Sequence, residues 1–140
     1  LDGPTPYIII KPNTSRRLKT DSSERIVPLV GASLWAATKA LNVPYREGER
    51  FLFSRYTKGG KCNANSASAA LNKWMKNYVD DGCVIHSFRH SLRDRLRSAE
   101  CPSDIVDQIG GWSRSSVGQN YGAGYKLPVL HKWLQMIEQG

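Results

Sequence analysis

The sequence predicts an α+β fold, a mostly helical domain with a small antiparallel β-hairpin, and three observations support that expectation. Two short β-rich runs, Tyr7 to Ile10 and Arg25 to Leu29, are separated by Asn13, Thr14, Ser15, Asp21, Ser22 and Ser23, which supply turn chemistry between strands. Beyond Asn65, apolar residues recur at steps of three and four, the mark of amphipathic helices. The length of 140 residues, 40% of them hydrophobic, suffices for one core and requires no second domain.

In chain order the hairpin comes first, and its tip is basic, with Arg16, Arg17 and Lys19. Ala32 to Leu41, after Gly31, is helix-like, and Phe51 to Phe53 is a brief apolar run before a Gly59-Gly60 loop. Ala67, Ala70, Leu71, Trp74, Met75, Tyr78 and Val79 define one face of a helix from Asn65, ended by Asp80, Asp81 and Gly82. The next helix should begin at Ser87 as its N-cap and bury Phe88, Leu92, Leu96 and Ala99, with Arg89, Arg93 and Arg97 lining another face. Pro102, Ser103 and Asp104 open a further helix, with Ile105, Val106 and Ile109 inward and Gly110-Gly111 closing it. A short helix through Tyr121 and a last one from Leu127 to Gln139 complete the chain. In that last helix Leu127, Leu130, Leu134 and Ile137 form a stripe that must be buried. Trp35, Trp74 and Trp133 fall on apolar stripes and are expected in the core.

Composition narrows the function classes. A net charge of +8 and a pI near 9.6 suit a polyanionic partner such as nucleic acid. Cys62, Cys83 and Cys101 are odd in number and form no Cys-x-x-Cys pair, which argues against a disulfide framework and a cysteine zinc cluster. The expected setting is a reducing cytoplasm. No apolar run approaches the ~20 residues of a membrane span, so no membrane partner is expected.

The densest chemistry lies in His86-Ser87-Phe88-Arg89. With a helix starting at Ser87, His86 and Arg89 can face one anion beside the positive helix end. A lone His-x-x-Arg is more often a satisfied histidine and a solvated arginine, so the box decides nothing by itself. Cys83 and Arg89 have the spacing of cysteine-dependent phosphatases, but the bulky, glycine-free Val84-Ile85-His86-Ser87-Phe88 between them could not wrap a phosphate. His86 and His90 are spaced like zinc ligands, yet Ser87 replaces the glutamate of His-Glu-x-x-His and cationic Arg89 would oppose a metal. Asp80, Asp81, Asp104 and Asp107 read as helix ends rather than a two-metal carboxylate set.

Trp112 follows Arg89 by 23 residues, and Tyr121 follows Trp112 by nine. Together with the hairpin, this ensemble resembles the tyrosine recombinase family, the phage integrases and their relatives, over the whole chain. In that family a His-x-x-Arg box precedes Gly-His or Gly-Trp and then the nucleophilic tyrosine. Gly110-Gly111-Trp112 looks like the tryptophan-bearing branch. The family's hairpin carries a catalytic lysine in Lys-Thr, followed by Arg-x-x-Pro-Leu, and Lys19-Thr20 and Arg25-Ile26-Val27-Pro28-Leu29 match both in order and place. The resemblance thus implies the tyrosine recombinase catalytic-domain fold, with Tyr121, Arg89, His86, Trp112 and Lys19 as site residues. Tyr125 is the rival nucleophile, four residues late for the pattern; Lys11, Lys58 and Lys61 compete with Lys19 on chemistry alone. The family's first catalytic arginine belongs on a helix before the hairpin, and Arg16 and Arg17 are in the wrong element to replace it. Residues 1–140 are therefore read as the C-terminal part of a catalytic domain, inactive alone, with the upstream arginine and an N-terminal DNA-binding domain outside this sequence.

What the resemblance implies is also chemically coherent. A phenol of pKa ~10 needs help losing its proton and a phosphate made electrophilic by neutralised oxygens. His86 is the candidate for the first task; Arg89 would hold the non-bridging oxygens, Trp112 would donate its indole N–H to them, and Lys19 would protonate the departing 5′ oxygen. The product is a 3′-phosphotyrosyl link and a free 5′ hydroxyl. One phosphoester is exchanged for another of similar energy, so no ATP, metal or other cofactor is expected. The expected partner is double-stranded DNA, bound by a homo-tetramer. A type IB topoisomerase shares this chemistry, and a non-catalytic DNA-binding module would keep the phosphate site without cutting. For the last helix, the resemblance implies docking on a neighbouring protomer, and docking on its own domain is the other reading.

Overall fold

β1 (Tyr7–Ile10) and β2 (Arg25–Pro28) pair antiparallel, Tyr7 opposite Pro28 and Ile10 opposite Arg25, in the computed structural model, which describes residues 3–14, 17–18, 20, 23–43, 51–58, 61–112 and 124–138. Isoleucine and valine suit such a pleated, half-buried surface. The Leu29 N–H carries the ladder one step further, to the Pro6 carbonyl at 2.8 Å. α1 (Gly31–Leu41) follows at once, its start held by the Ser33 hydroxyl, which accepts from the Val30 N–H and donates to the Val30 carbonyl.

A 3-10 turn (Ser54–Tyr56) leads to a second antiparallel pair, β3 (Thr57–Lys58) and β4 (Lys61–Cys62), flanking residues 59 and 60, where the sequence predicts only a loop. Strands of two residues are too short to leave an alternating pattern. α2 (Ala64–Met75) starts one residue earlier than its apolar stripe suggests, because the Asn63 side chain accepts from the Ser66 N–H at 3.1 Å and caps it. It stops before Tyr78 and Val79, which lie in the turn beyond. α3 (Ser87–Ser98), α4 (Ser103–Gly110) and α5 (Leu127–Met136) complete the described elements, and none of the described helices is long and apolar enough to cross a membrane. The short helix expected through Tyr121 lies outside the described residues.

The core is built by the last three helices and β2. Leu96 of α3, Cys101, Ile105, Val106 and Ile109 of α4, and Leu130, Leu134 and Ile137 at α5 form one buried cluster, with Val27, Val30, Leu92, Ala99, Trp112 and Trp133 packed against it. Leu130, Leu134 and Ile137 of the expected stripe are thus buried within their own domain, whereas Leu127 is half-buried. Trp133 takes the expected place, but Trp35 and Trp74 do not: they are 65% and 58% exposed, and Phe88 is 63% exposed. α1 buries none of its residues and α2 only Met75. Helical periodicity identifies an apolar face, whereas burial needs a neighbour to cover it. Trp74 instead stacks tilted against Tyr78, ring centroids 4.8 Å apart.

α3 ends by a left-handed turn at Glu100 (φ +58°), with the Cys101 N–H bonded back to the Leu96 carbonyl at 3.0 Å. This is the six-to-one bond of a Schellman cap, whose left-handed position favours glycine. A side chain there costs about 1–2 kcal/mol, partly offset by glycine's greater freedom in the unfolded chain. Glu100→Gly is therefore expected to stabilise the protein by ~0.5–1 kcal/mol, a rise of about 2–4 °C in Tm by calorimetry. An unchanged or lower Tm would contradict that reading of the cap.

Candidate active site

α4 ends in a sharp reversal that its sequence dictates. Ile105, Val106 and Ile109 bury its inner face, and Gly111 then takes the left-handed conformation (φ +64°, ψ +41°) that stops the helix. The Gly111 and Trp112 N–H groups both bond the Asp107 carbonyl, the latter at 3.0 Å. Trp112 is thereby folded back over the last helical turn. An ideal Cβ on Gly110 would fall inside the Trp112 ring, so the absence of a side chain there is what seats the indole.

Three arginines converge on this corner. Arg89 of α3 donates from Nη1 to the Gly110 carbonyl at 2.7 Å, and its guanidinium carbon lies over the Trp112 ring, 4.3 Å from the centroid. One turn further along α3, Arg93 also lies over that ring, at 4.8 Å, and its Nη2 meets Asp107 Oδ1 at 3.5 Å. Arg25 of β2 donates from Nε to the Ile109 carbonyl at 2.9 Å. The last carbonyls of α4, at the negative end of its dipole, are thus matched by cations. A guanidinium carries five N–H donors, so the single bond to Gly110 fixes Arg89 without exhausting its capacity to bind an anion. The stacking on the indole sets its plane.

His86 stands at the start of α3, exposed, in helical conformation, with the Arg89 N–H on its carbonyl at 3.0 Å. Ser87 is the first helical residue and not the N-cap the sequence predicts: its hydroxyl accepts the Val84 N–H at 3.1 Å and braces the preceding turn. The Ile85 N–H bonds Asn72 Oδ1 at 2.7 Å, tying that turn to α2. The His86 and His90 rings meet edge-on, 5.3 Å between centroids.

The structure therefore brings Arg89 and Trp112 together and sets His86 at the N-cap of the same helix, three residues before Arg89. Tyr121 and Lys19 lie outside the described residues. Tyr125 is described: its hydroxyl donates to Asp104 Oδ2 at 2.5 Å, while its backbone N–H and carbonyl bond the Gln108 amide at 2.8 and 3.0 Å. The hydrogen bond to Asp104 first, then burial, then the charges of Asp104 and Cys101 raise its pKa above the ordinary 10.0.

Sequence reasoning misses Asp107, Arg93 and Arg25 as parts of this corner. Asp107 is no helix end: it is buried at 7% in the middle of α4 and pairs with Arg93. Its signal is an acid within the apolar run Ile105-Val106-Asp107-Gln108-Ile109, which calls for a buried cation. The signal for Arg93 is its place four residues from Arg89, on the same helical face. Asp104 does lie in the first turn of α4, as expected. Cys83 is exposed, and Cys101 is buried, its thiol pushed by burial and by the nearby Asp104 charge to about 11.

A sequence model described as the phage integrase family matches residues 6–126. Among curated proteins and among solved structures, none matched the chain.

Proposed function

Because the chain belongs to the phage integrase family, whose chemistry is the cleavage and rejoining of DNA, we propose that it is the C-terminal part of the catalytic domain of a site-specific recombinase working through a 3′-phosphotyrosyl intermediate. The observation that carries this reading is the Arg89 guanidinium tethered to the Gly110 carbonyl and laid over Trp112. A planar cation held by two independent contacts is preorganised for two non-bridging phosphate oxygens, and catalysis by fixed charge depends on that preorganisation.

In this reaction the Tyr121 oxygen attacks the scissile phosphorus and its proton passes to His86. The bond from phosphorus to the 5′ oxygen breaks as Lys19 delivers a proton to that oxygen. Arg89 and the Trp112 indole N–H hold the charge of the pentacovalent transition state. Rejoining is the reverse, with the 5′ hydroxyl as nucleophile, and requires no cofactor. The partner is double-stranded DNA, assembled with four copies of the protein.

The test is a nicked suicide substrate, in which the fragment bearing the 5′ hydroxyl is lost after cleavage, given to the full-length protein. Covalent protein on the 3′ end, together with strand exchange between two intact sites, is the expected result. Relaxation of supercoils with no exchange would make the protein a topoisomerase. Binding without any adduct would make it a DNA-binding module.

A further inference from the structure

Arg25 has no part in the reaction as just described, yet it links the corner at the end of α4 to Ser23. It is the first residue of β2, at the end of the strand next to the hairpin tip. Its Nε donates to the Ile109 carbonyl at 2.9 Å, next to the Gly110 carbonyl that holds Arg89. Its Nη1 donates to the Ser23 carbonyl at 2.7 Å. Ser23 in turn donates its N–H to the Thr20 carbonyl at 3.0 Å, and the two hydroxyls of Thr20 and Ser23 lie 2.9 Å apart. Thr20 is the residue bonded to Lys19. A line of hydrogen bonds thus runs from the corner of α4 to the residue beside the lysine.

We propose that Arg25 is a positioning residue that holds the hydrogen-bonded residues Thr20 and Ser23 in register with the Arg89–Trp112 corner, and so sets where the leaving-group acid is presented; this rests on the role of Lys19 proposed above. The guanidinium suits the task because its donors are fixed in one plane, so the bond to Ile109 determines the direction of the bond to Ser23. A flexible ammonium could satisfy either carbonyl but would not relate their positions. The approach is close: an ideal Cβ on Gly111 would meet the Arg25 guanidinium, so glycine at 111 makes room for it as well as for the chain reversal. Arg25 is not what buries β2. Val27 and Pro28 do that, at the other end of the strand, with Leu29 and Val30 just beyond it.

A role exerted through the leaving-group acid has a signature that a structural role lacks. DNA with sulfur in place of the bridging 5′ oxygen departs as a thiolate and needs no proton, whereas the oxygen substrate does. Single-turnover cleavage is measured on both substrates for Arg25→Ala, Arg25→Lys and Lys19→Ala in the full-length protein. Arg25→Ala is expected to lose about 10²-fold on oxygen DNA and less than ~5-fold on sulfur DNA, and Arg25→Lys to show the same sulfur-relieved defect at smaller size. Should Arg25→Ala fail to fold, Arg25→Lys carries the comparison. Equal loss on both substrates, or no loss on either, while Lys19→Ala is rescued by sulfur, overturns the role of Arg25 alone. Failure of sulfur to rescue Lys19→Ala removes the premise, and the proposal with it. Wild-type protein that forms no adduct on either DNA overturns the functional reading itself.

Discussion

Tyr121→Phe is expected to abolish the covalent protein–DNA adduct on suicide DNA, by ~10⁴-fold or more, and to leave DNA binding intact, because in the proposed reaction the phenol oxygen forms the new bond to phosphorus. Tyr125→Phe is expected to keep the adduct. The geometry around Tyr125 supports that expectation. Its hydroxyl is committed to Asp104, and the carboxylate disfavours the phenolate, holding the pKa above its ordinary value. The same negative charge would repel an approaching phosphodiester, whereas the corner formed by Arg89, Arg93 and Trp112 would attract one. Gel mobility of the protein–DNA adduct after denaturation measures both variants. An adduct that survives Tyr121→Phe and disappears with Tyr125→Phe would move the nucleophile to residue 125.

Leu130→Asp combined with Leu134→Asp removes the cooperative thermal transition and, with it, cleavage and strand exchange alike. Leu130 and Leu134 are 2% and 6% exposed and belong to the same buried cluster as Ile105, Val106 and Ile109. Two carboxylates placed there face no partner, at a cost of several kcal/mol each, against a total stability of about 5–15 kcal/mol. The resemblance to recombinases leaves open a helix that works on a neighbouring protomer. The buried stripe of α5 commits that face to its own domain. Cleavage and melting temperature that both survive the double substitution, with only strand exchange lost, would return the helix to the space between protomers.

Parts of this architecture are plain in the sequence, and the reasons differ by element. α4 is legible because Ile105, Val106 and Ile109 keep helical step and Gly110-Gly111 can only be a stop. α5 is legible from the step of its leucines, but with no glycine stop in the pattern it ends at Met136, short of the expected Gln139. Trp35 and Trp74 look equally like core, but their burial depends on a neighbour that a one-dimensional pattern cannot supply. At the site, the pairing of Arg89 with Trp112 follows from the family's motif order, while the means of pairing, a carbonyl freed by a left-handed glycine, is a property of the folded corner. The Arg25 bond to Ile109 spans 84 residues, and no local periodicity encodes it. Asp107 is readable in retrospect, as a charge whose neighbours are all apolar or amide.

The three thiols give this protein a built-in clock. Cys62 and Cys83 are exposed, whereas Cys101 is packed among Leu96, Ile105 and Leu134 with its thiol pushed up to about 11. Alkylating reagents attack only thiolate they can reach, and at pH 8 a thiol of that acidity is ~0.1% ionised. Two cysteines therefore label at once and serve as an internal standard, and the third labels only when α3, α4 and α5 part from one another. Mass spectrometry of the third increment times the opening of the scaffold on which Arg89, Trp112 and Asp107 are mounted. Occupancy of the corner by a DNA phosphate would slow that increment and leave the first two unchanged.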